Sequence, residues 1–475
     1  MPEDLPGAEV LNLADFPPVP TPAWEAAIAK DLKGADYDKK LVWRTDEGIA
    51  VRPYYRAGNL AGLEAQTRTA PGQFPFARGG AKAWEAAGTL PSGPNVIRAD
   101  ELAEAGANAV GQLGYALAAG VERLAALAAT TTVDEAARSI EFVFAVGSTY
   151  FVEIAKLRAA RLVWAQAVAA FHPADLDSAL AHIHARTTRL NKSVYDRYTN
   201  LLRVTTEALA AAVGGCDRLT VEPFGFEPHL AVNVERVLRH EAHMDAVADP
   251  AGGSYYIEML TDSLARAAWK LFQQVEAAGG YGKALESGAV AKALAEGRAR
   301  LEEAVASRHR TLVGVNNFPD LTEKSTDVTA PEASGAAFPG FRLAEPFEKI
   351  RRRTERHAAK TGRIPQVLLL KRGDLKMRMA RANFSLNFFG CAGFDVIEAD
   401  ELTAADLIVL CSSDPEYLAL AQEVCPRARA PVIVAGNPKD QIDALKAAGV
   451  AGFIHIQSDA VQTLSEWQKR LGMED

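Results

Sequence analysis

Hydrophobic and polar positions alternate along this chain in two rhythms. Between Ile140 and Glu258, short apolar runs are followed by longer stretches whose apolar residues recur at three- and four-residue steps, the period of a helix with one buried face. Ile140 to Val146 is one such run, closed by Gly147, and the stretch behind it carries Tyr150, Ile154, Leu157, Trp164 and Val168 on one stripe. His182 to Thr187 predicts the next strand, followed by a helix that buries Val194, Tyr198, Leu201, Thr205 and Leu209. Arg218 to Pro223 predicts a third strand, after the helix stop at Gly214-Gly215. Strands alternating with helices of this length pair in parallel, because a parallel crossover needs a helix to carry the chain back.

The flanks extend the pattern. A Pro-rich arm from Phe16 to Ala23 leads into a helix from Trp24 to Leu32; Leu41 to Thr45 and Ile49 to Tyr54 predict a hairpin around Asp46-Glu47-Gly48. Gly72 to Gly80 is a loop by its glycines and prolines, and Gly80 to Ala105 holds little besides a short strand at Asn95 to Arg98, before a helix over Ala109 to Ala128. Downstream, Leu230, Val234, Val237 and Met244 mark one helix, and Leu260, Leu264, Ala268, Leu271 and Val275 another, with a sharp turn at Ala248 to Ser254 between them. Gly282 to Glu296 and Arg298 to Arg308 predict two more helices, and Thr311 to Asn316 a last strand. Thr322 to Phe338 lacks periodicity and predicts a linker, and a basic helix surrounds Lys349 to Arg356, its charge run predicting a solvated or interface face. Five apolar runs follow, Val367 to Leu370, Phe394 to Ile397, Leu407 to Cys411, Val432 to Ala435 and Gly452 to Ile456, the pattern of a doubly wound α/β domain. The predicted organisation is an arm over 1–40, an α/β domain over 41–320, a linker and basic helix over 321–362, and a second α/β domain over 363–475.

Composition narrows the function classes. The 475 residues carry 52 basic and 60 acidic side chains, a net charge of −8, with no long basic tract, which argues against nucleic acid or an anionic membrane as partner. No run of 18 apolar residues occurs, and the acidic start MPEDLPGAEVLNL is unlike a signal peptide. Cys216, Cys391, Cys411 and Cys425 show no metal-finger spacing and predict buried free thiols in a reducing compartment, with the cytoplasm as the expected location.

Several stretches resemble the cobalamin-dependent acyl-CoA mutases, in particular the methylmalonyl-CoA mutase family. They are Phe144-Ala-Val-Gly147, Phe151 to Trp164, Asn191-Lys-Ser-Val-Tyr-Asp196, Gly214-Gly-Cys-Asp217 and Asp249 to Glu258, while Pro71 to Gly79 resembles the loop through which that family's substrate enters. The resemblance covers most of residues 40–320 and, more weakly, the C-terminal domain. It implies a TIM-type (β/α) barrel, here shortened or incomplete, followed by a flavodoxin-like doubly wound domain of the cobalamin-binding type.

The departures from the family's pattern make that second domain degenerate. The family's Asp-x-His-x-x-Gly motif, whose histidine ligates cobalt, falls on Lys376-Met-Arg378-Met-Ala-Arg381; arginine cannot release a proton to ligate a metal, and lysine cannot orient an imidazole as a carboxylate does. The later Ser-x-Leu segment falls on Cys411 and Ser413, and the Gly-Gly pair on Ala435-Gly436. In the barrel, the family's His-Met-Gln-Glu-Ala-Gly becomes Glu101-Leu-Ala-Glu104-Ala-Gly106, and its His-x-Gln becomes His184-Ala-Arg186. Its strand-leading arginine falls on Ser139, beside Arg138, and a tyrosine falls on Ala81. A further active-site segment and several βα units that should precede Glu101 are missing. The chain therefore resembles the family's small subunit, in shortened form and without catalytic, cofactor-binding or metal-binding residues of its own. The resemblance implies a heterodimer with a catalytic large subunit that holds adenosylcobalamin, or a homodimer where no partner exists.

Other readings are weighed on the residues themselves. His240-Glu-Ala-His243 has its histidines three apart, where a zinc-binding helix needs four, and reads as surface. His182 and His184 share one strand face and could line a remnant pocket. Ala251 to Ser254 could offer backbone N–H groups to a phosphate but reads as a turn. Lys371, Arg372, Lys376, Arg378 and Arg381 could bind a nucleotide-like ligand, balance the charge of a lost cofactor site or, the favoured reading, meet acidic groups of a partner. One rival is a cobalamin-independent acyl-CoA enzyme using Glu101, Glu104, His184 or Arg186 in acid–base chemistry; another is an assembly factor binding the mutase transiently.

Overall fold

The computed structural model describes residues 16–80, 83–323 and 336–473, in two compact units divided in sequence between Arg56 and Ala57. The first holds helices Thr21–Leu32 and Tyr37–Leu41. Asp36 caps the second helix by accepting from the Lys39 N–H at 2.8 Å. The predicted hairpin is present as β1 (Trp43–Arg44) and β2 (Ala50–Val51), antiparallel, with Gly48 at φ +77° in the turn. Trp24 stacks on Tyr54 with ring centroids 4.9 Å apart. Among the described residues of this unit only Thr45 and Val51 are buried, too little core to hold such a unit folded by itself.

The second unit is built on two five-stranded sheets, both wholly parallel. The first contains β3 (Glu85–Ala86), β4 (Val96–Arg98), β5 (Glu141–Val146), β6 (His182–Thr187) and β7 (Arg218–Thr220), in the order β3-β7-β6-β5-β4. Helices Ala109–Ala128, Tyr150–Ala169, Thr199–Val213 and Pro228–Arg236 follow β4, β5, β6 and β7. Phe142 and Phe144 of β5 face this helical layer, and Phe142 meets Trp164 edge-on at 5.0 Å. Gly120 lets the helix approach, since a Cβ there would lie 2.9 Å from the Phe142 ring. The alternate residues, Val143 and Ala145, share the opposite face with His184 and Arg186, as the register Val143↔His184 and Ala145↔Arg186 requires.

The second sheet contains β8 (Gln366–Lys371), β9 (Asp395–Ala399), β10 (Leu407–Cys411), β11 (Val432–Ala435) and β12 (Val450–Ile454), in the flavodoxin-like order β12-β11-β10-β8-β9. Both faces are covered, one by Ile350, Phe388 and Leu464 against Val367, Leu369 and Val409, the other by Leu420, Val424 and Leu445 against Leu368, Leu370 and Ile408. Helix Glu345–Thr361 ties the two sheets' subdomains together. Glu348 accepts from the Val194 N–H at 2.9 Å and takes two hydrogen bonds from Arg342, while Arg351 lies over the Tyr195 ring at 4.4 Å and the Tyr195 hydroxyl donates to Glu355 at 2.8 Å. The basic run is thus in part an interface face, but one internal to this chain.

Several local expectations are corrected. Residues 80–105, expected to give one short strand, also supply β3 and the helix Ala99–Glu104. Helix Thr199–Val213 buries Asn200, Val204, Glu207, Ala208 and Ala211, whereas Tyr198 and Leu202 are half or more exposed; the buried face follows small and paired polar side chains instead of the larger apolar ones. The helix from Leu230 ends in a π turn at Val237–Glu241, short of Met244. The break expected at Gly297 lies at Gly288, before helix Ala289–Ala306. Gly297 sits inside that helix because a Cβ would come 2.2 Å from the Gly106 carbonyl oxygen. Thr311 to Asn316 is a turn held by Asn316, whose side chain receives the Leu312 N–H at 2.7 Å and donates to Val305 and Arg310 carbonyls. Most of the expected linker, and Ala81, lie outside the described residues.

Candidate functional site

The carboxyl ends of β4, β6 and β7 bring together the charged residues of the first sheet's inner face. Arg186, near the end of β6, is 5% exposed. Its Nε donates to Asp100 at 2.7 Å, one terminal nitrogen to Glu104 at 3.1 Å, and the other to the Thr187 carbonyl at 3.2 Å and to Glu222 at 3.4 Å. Asp100 lies in the first turn of helix Ala99–Glu104 and also accepts two hydrogen bonds from Arg98, 2.8 Å to each oxygen. Burial pushes the Asp100 pKa up, but the bonds and charges of Arg98 and Arg186 outweigh it and hold the carboxyl below its ordinary value. For Arg186 burial likewise works against the charge, and Glu104, Asp100 and Glu222 raise its pKa above the usual value. Glu104 accepts through one oxygen from Arg186, from the Thr188 hydroxyl at 2.9 Å and from the Arg189 N–H at 2.8 Å, and Glu222 also receives Arg189 at 2.7 Å. Glu101 instead pairs with Arg98 at 3.2 Å and accepts from the Ala337 N–H at 3.0 Å.

One turn deeper, His184 is 1% exposed. The Thr220 hydroxyl gives its proton to the Ala87 carbonyl at 2.7 Å, so it accepts from His184 Nε2–H at 2.8 Å; this assigns the tautomer and leaves Nδ1 with a lone pair, 3.9 Å from Glu141. Burial and the neighbouring Arg218 push the His184 pKa down to about 4, so the ring is neutral at pH 7. The structure thus gathers Glu104, His184 and Arg186, sets Glu101 at the rim, and leaves His182 exposed at the other end of β6. Arg186 is bound to Asp100, Glu104 and Glu222, and one oxygen of Glu104 to Arg186, Thr188 and Arg189.

The second candidate place is the crevice at the carboxyl ends of β8, β10 and β11. Asp374 caps helix Leu375–Gly390 by accepting from the Met377 N–H at 2.8 Å, which sets Lys376, Arg378 and Arg381 on the first two turns. Lys371 pairs with Glu398 at 2.9 Å, Arg378 with Asp400 at 3.9 Å and Arg381 with Asp414 at 3.2 Å; Lys376 is exposed. The space above Gly436 is taken by the Tyr417 ring, Asp414 and the Arg381 guanidinium, 3.2, 3.4 and 3.6 Å from where a Cβ would be. Tyr417 is buried, and its hydroxyl donates to the Ala435 carbonyl at 2.6 Å and accepts from the Ser412 N–H at 3.2 Å. Glu416 closes the turn after β8, where Gly373 at φ +74° leaves room for it, and accepts from the Ser412 and Ser413 hydroxyls and the Ser413 and Asp374 N–H groups. The Ser413 and Ser412 hydroxyls, chiefly, bring its pKa down to about 2.

The other singled-out residues are structural in their contacts. Gly253 donates its N–H to Glu258 at 2.9 Å, so the Ala251–Ser254 turn serves an internal carboxylate. His240 and His243 are exposed, and among the described residues no group of three or more histidine, cysteine, aspartate or glutamate side chains comes together at metal-holding distance. Arg138 pairs with Asp175, and Ser139 accepts from Asn95 at 3.0 Å. Sequence reasoning missed the charged core of helix Tyr150–Ala169. Lys156, Arg158 and Arg161 are at most 1% exposed, and Arg158 holds Asp249 and Glu258. Their signal was three cations in a helix apolar on every side. Cys216, Cys391 and Cys411 are buried free thiols and Cys425 is partly buried; no helix among the described residues is long and apolar enough to cross a membrane.

Comparison with known proteins bears on both places. The model of the methylmalonyl-CoA mutase family matches residues 92–361, more than half of the chain. The methylmalonyl-CoA mutase small subunit of Porphyromonas gingivalis is 32% identical over an alignment covering 97% of this chain and 98% of that protein. The chain belongs to the methylmalonyl-CoA mutase family. The small subunit of Streptomyces virginiae is 36% identical over 78% of this chain and 63% of its own length. Methylmalonyl-CoA mutase of Escherichia coli is 36% identical over 48% of this chain and 33% of its own length. The alignment with the P. gingivalis small subunit runs to 618 positions against 475 residues here, so at least 618 − 475 = 143 of its positions face a gap in this mutase-family chain.

Proposed function

We propose that this chain is the non-catalytic small subunit of a heteromeric, cobalamin-dependent methylmalonyl-CoA mutase. It stabilises a catalytic large subunit that carries adenosylcobalamin and isomerises methylmalonyl-CoA and succinyl-CoA. The observation that carries this reading is the closed charge network at Arg186: the inner face keeps polar residues, but its arginine is satisfied by Asp100, Glu104 and Glu222 of the same chain. A clamp on an acyl group needs donors that are free until the ligand arrives. The relatives named small subunit in P. gingivalis and S. virginiae support the subunit assignment.

The sheet order supports a barrel that has lost part of its circumference. In a closed barrel the first strand pairs with the last, and here β3 pairs with β7 while β4 is left as an edge. On this reading three βα units between β3 and β4 are gone, about 90 residues at the roughly 250 of a typical eight-unit barrel, well within the gapped positions of the alignment. The nine residues 87–95 now connect the two strands.

The crevice of the second sheet does not suit cobalamin. Helix Leu375–Gly390 has no histidine, Lys376, Arg378 and Arg381 offer no lone pair to a metal, and Tyr417, Asp414 and Arg381 fill the space above Gly436. The cofactor is therefore assigned to the large subunit. A cytoplasmic heterodimer acting in propionate metabolism, with an obligate-type interface above about 2,000 Å², completes the reading.

The test is the solution mass of this chain, alone and mixed with the large subunit from the same genome, with the cobalamin absorbance followed through the column. A one-to-one complex that is coloured only when the large subunit is present is the expected result. A colourless homodimer that ignores the large subunit, or cobalamin retained by this chain alone, overturns the proposal.

A further inference from the structure

A cleft of about 580 Å³ lies on the outer side of the helical layer, away from both places described above. Its walls are helix Tyr150–Ala169, through Leu162, Val163 and Gln166, helix Tyr255–Ala277, and the segment bearing Leu63, Gln66 and Pro75. Helix Tyr255–Ala277 contributes Asp262, Ala265, Arg266, Trp269, Lys270 and Gln273, all on one face at three- and four-residue steps. From Asp262 to Gln273 this face runs about 16 Å at 1.5 Å per residue. The volume is in the range of small-molecule sites.

The chemistry of the lining has a direction. Leu63, Pro75, Leu162, Val163, Ala265 and Trp269 make an apolar floor. The cleft's only acid, Asp262, is bound to Arg266 Nε at 2.8 and 3.0 Å. Gln66 is turned inward, its amide donating to the Glu258 carbonyl at 3.1 Å and carboxylate at 3.2 Å. Lys270 has no ion-pair partner among the described residues, and no bond is made there by the terminal nitrogens of Arg266. An apolar trough edged by one cation unpaired among the described residues, Lys270, and by an Arg266 whose terminal nitrogens extend beyond its pair with Asp262 carries one net positive charge; it complements an apolar chain with an anionic head and disfavours a cationic amphiphile.

The geometry points to this cleft as a binding site for an elongated amphipathic carboxylate, a free acyl chain lying along Trp269 with its head at Lys270 and Arg266. It is separate from the barrel interior and does not depend on the subunit role proposed above. Because Trp269 forms part of the floor, its emission reports occupancy directly.

The experiment titrates the full chain with dodecanoate below its micelle concentration and reads tryptophan fluorescence, with dodecylamine and acetate as controls. A saturable change with dodecanoate only, absent from Trp269→Phe, is expected. Lys270→Glu should weaken binding about tenfold, the value of one hydrogen bond to a charge, and Ala265→Trp should block it by filling the trough. Lys270 is exposed and Ala265 and Trp269 partly exposed, and circular dichroism of each of the three variants checks its fold. An unsaturable change, an equal response from Trp269→Phe, or equal binding of dodecylamine overturns the assignment.

Discussion

The two sheets of the larger unit have each closed the place where a ligand would be expected, and they have done so differently. At the first sheet the closure is ionic and deep: Arg186, 5% exposed, is ringed by Asp100, Glu104 and Glu222. At the second it is mostly steric: buried Tyr417 fills the crevice, and only at the rim does Arg381 hold Asp414 near solvent, with their side chains 23% and 48% exposed. The contrast shows two ways in which a chain fills the space at its strand ends with its own side chains. A buried cluster ties the surrounding elements together and makes each member costly to remove. The rim pair of the second is cheap to alter, since exposed pairs contribute little.

The strongest way to break this comparison is Arg186→Ala. It takes from Glu104 its cation and leaves Asp100 and Glu222 with only Arg98 and Arg189, and the expected loss is about 3–5 kcal/mol in urea unfolding; a loss below about 1 kcal/mol would show that water reaches the cluster and that the two closures are alike. The pH response sharpens it next. His184 has its pKa depressed to about 4 from 6.5, so between these values the unfolded chain binds a proton that the folded chain refuses. Stability from this group is full above pH 6.5 and falls as the pH drops toward 4. Thermal melts of His184→Gln should be flatter than wild type across that window, and an unchanged slope would place the ring in contact with solvent.

At the second sheet the effects should be smaller. Gly373→Ala meets a left-handed backbone and the Glu416 carboxylate 2.1 Å from the new Cβ, a carboxylate held by Ser412, Ser413 and Asp374. About 1–2 kcal/mol is expected from the backbone alone, read as a shift of the urea midpoint. Arg381→Ala should cost below about 1 kcal/mol, and less still in high salt. If Arg381→Ala rivals Arg186→Ala, the crevice is held by charge after all.

The two regions also differed in how far the sequence disclosed them. The three inner strands of the second sheet, β8, β10 and β11, are evident as apolar runs, because a parallel strand covered on both faces has no polar alternation to hide it, while the part-exposed edges β9 and β12 are legible with bounds shifted by one or two residues. β3 is invisible for the opposite reason: two residues, Glu85 and Ala86, carry no period, and only pairing with β7 makes them a strand. The helical face at Thr199–Val213 was misjudged because Glu207 is buried by Lys192 and Asn191, partners supplied by the loop after β6. Motif departures at Glu101, Arg186 and Arg378 are readable as departures from the family's pattern. They could not show that Arg186 reaches Glu104, 82 positions earlier, since that meeting depends on how strands from distant parts of the chain lie side by side.

The pairing of β3 with β7 also sets a schedule. Glu85 lies against Arg218, 133 residues later, so a growing chain must hold its first strand open until the fourth βα step has been made. In the second sheet, Gln366 meets Asp395 after only 29 residues. Closing the longer loop costs more entropy before any contact rewards it, so the C-terminal sheet should form ahead of the complete N-terminal one in refolding. Pulse-labelled hydrogen exchange should accordingly protect the amides of β8 and β10 before those of β3, and until then the edge of β7 stands open to any strand that finds it.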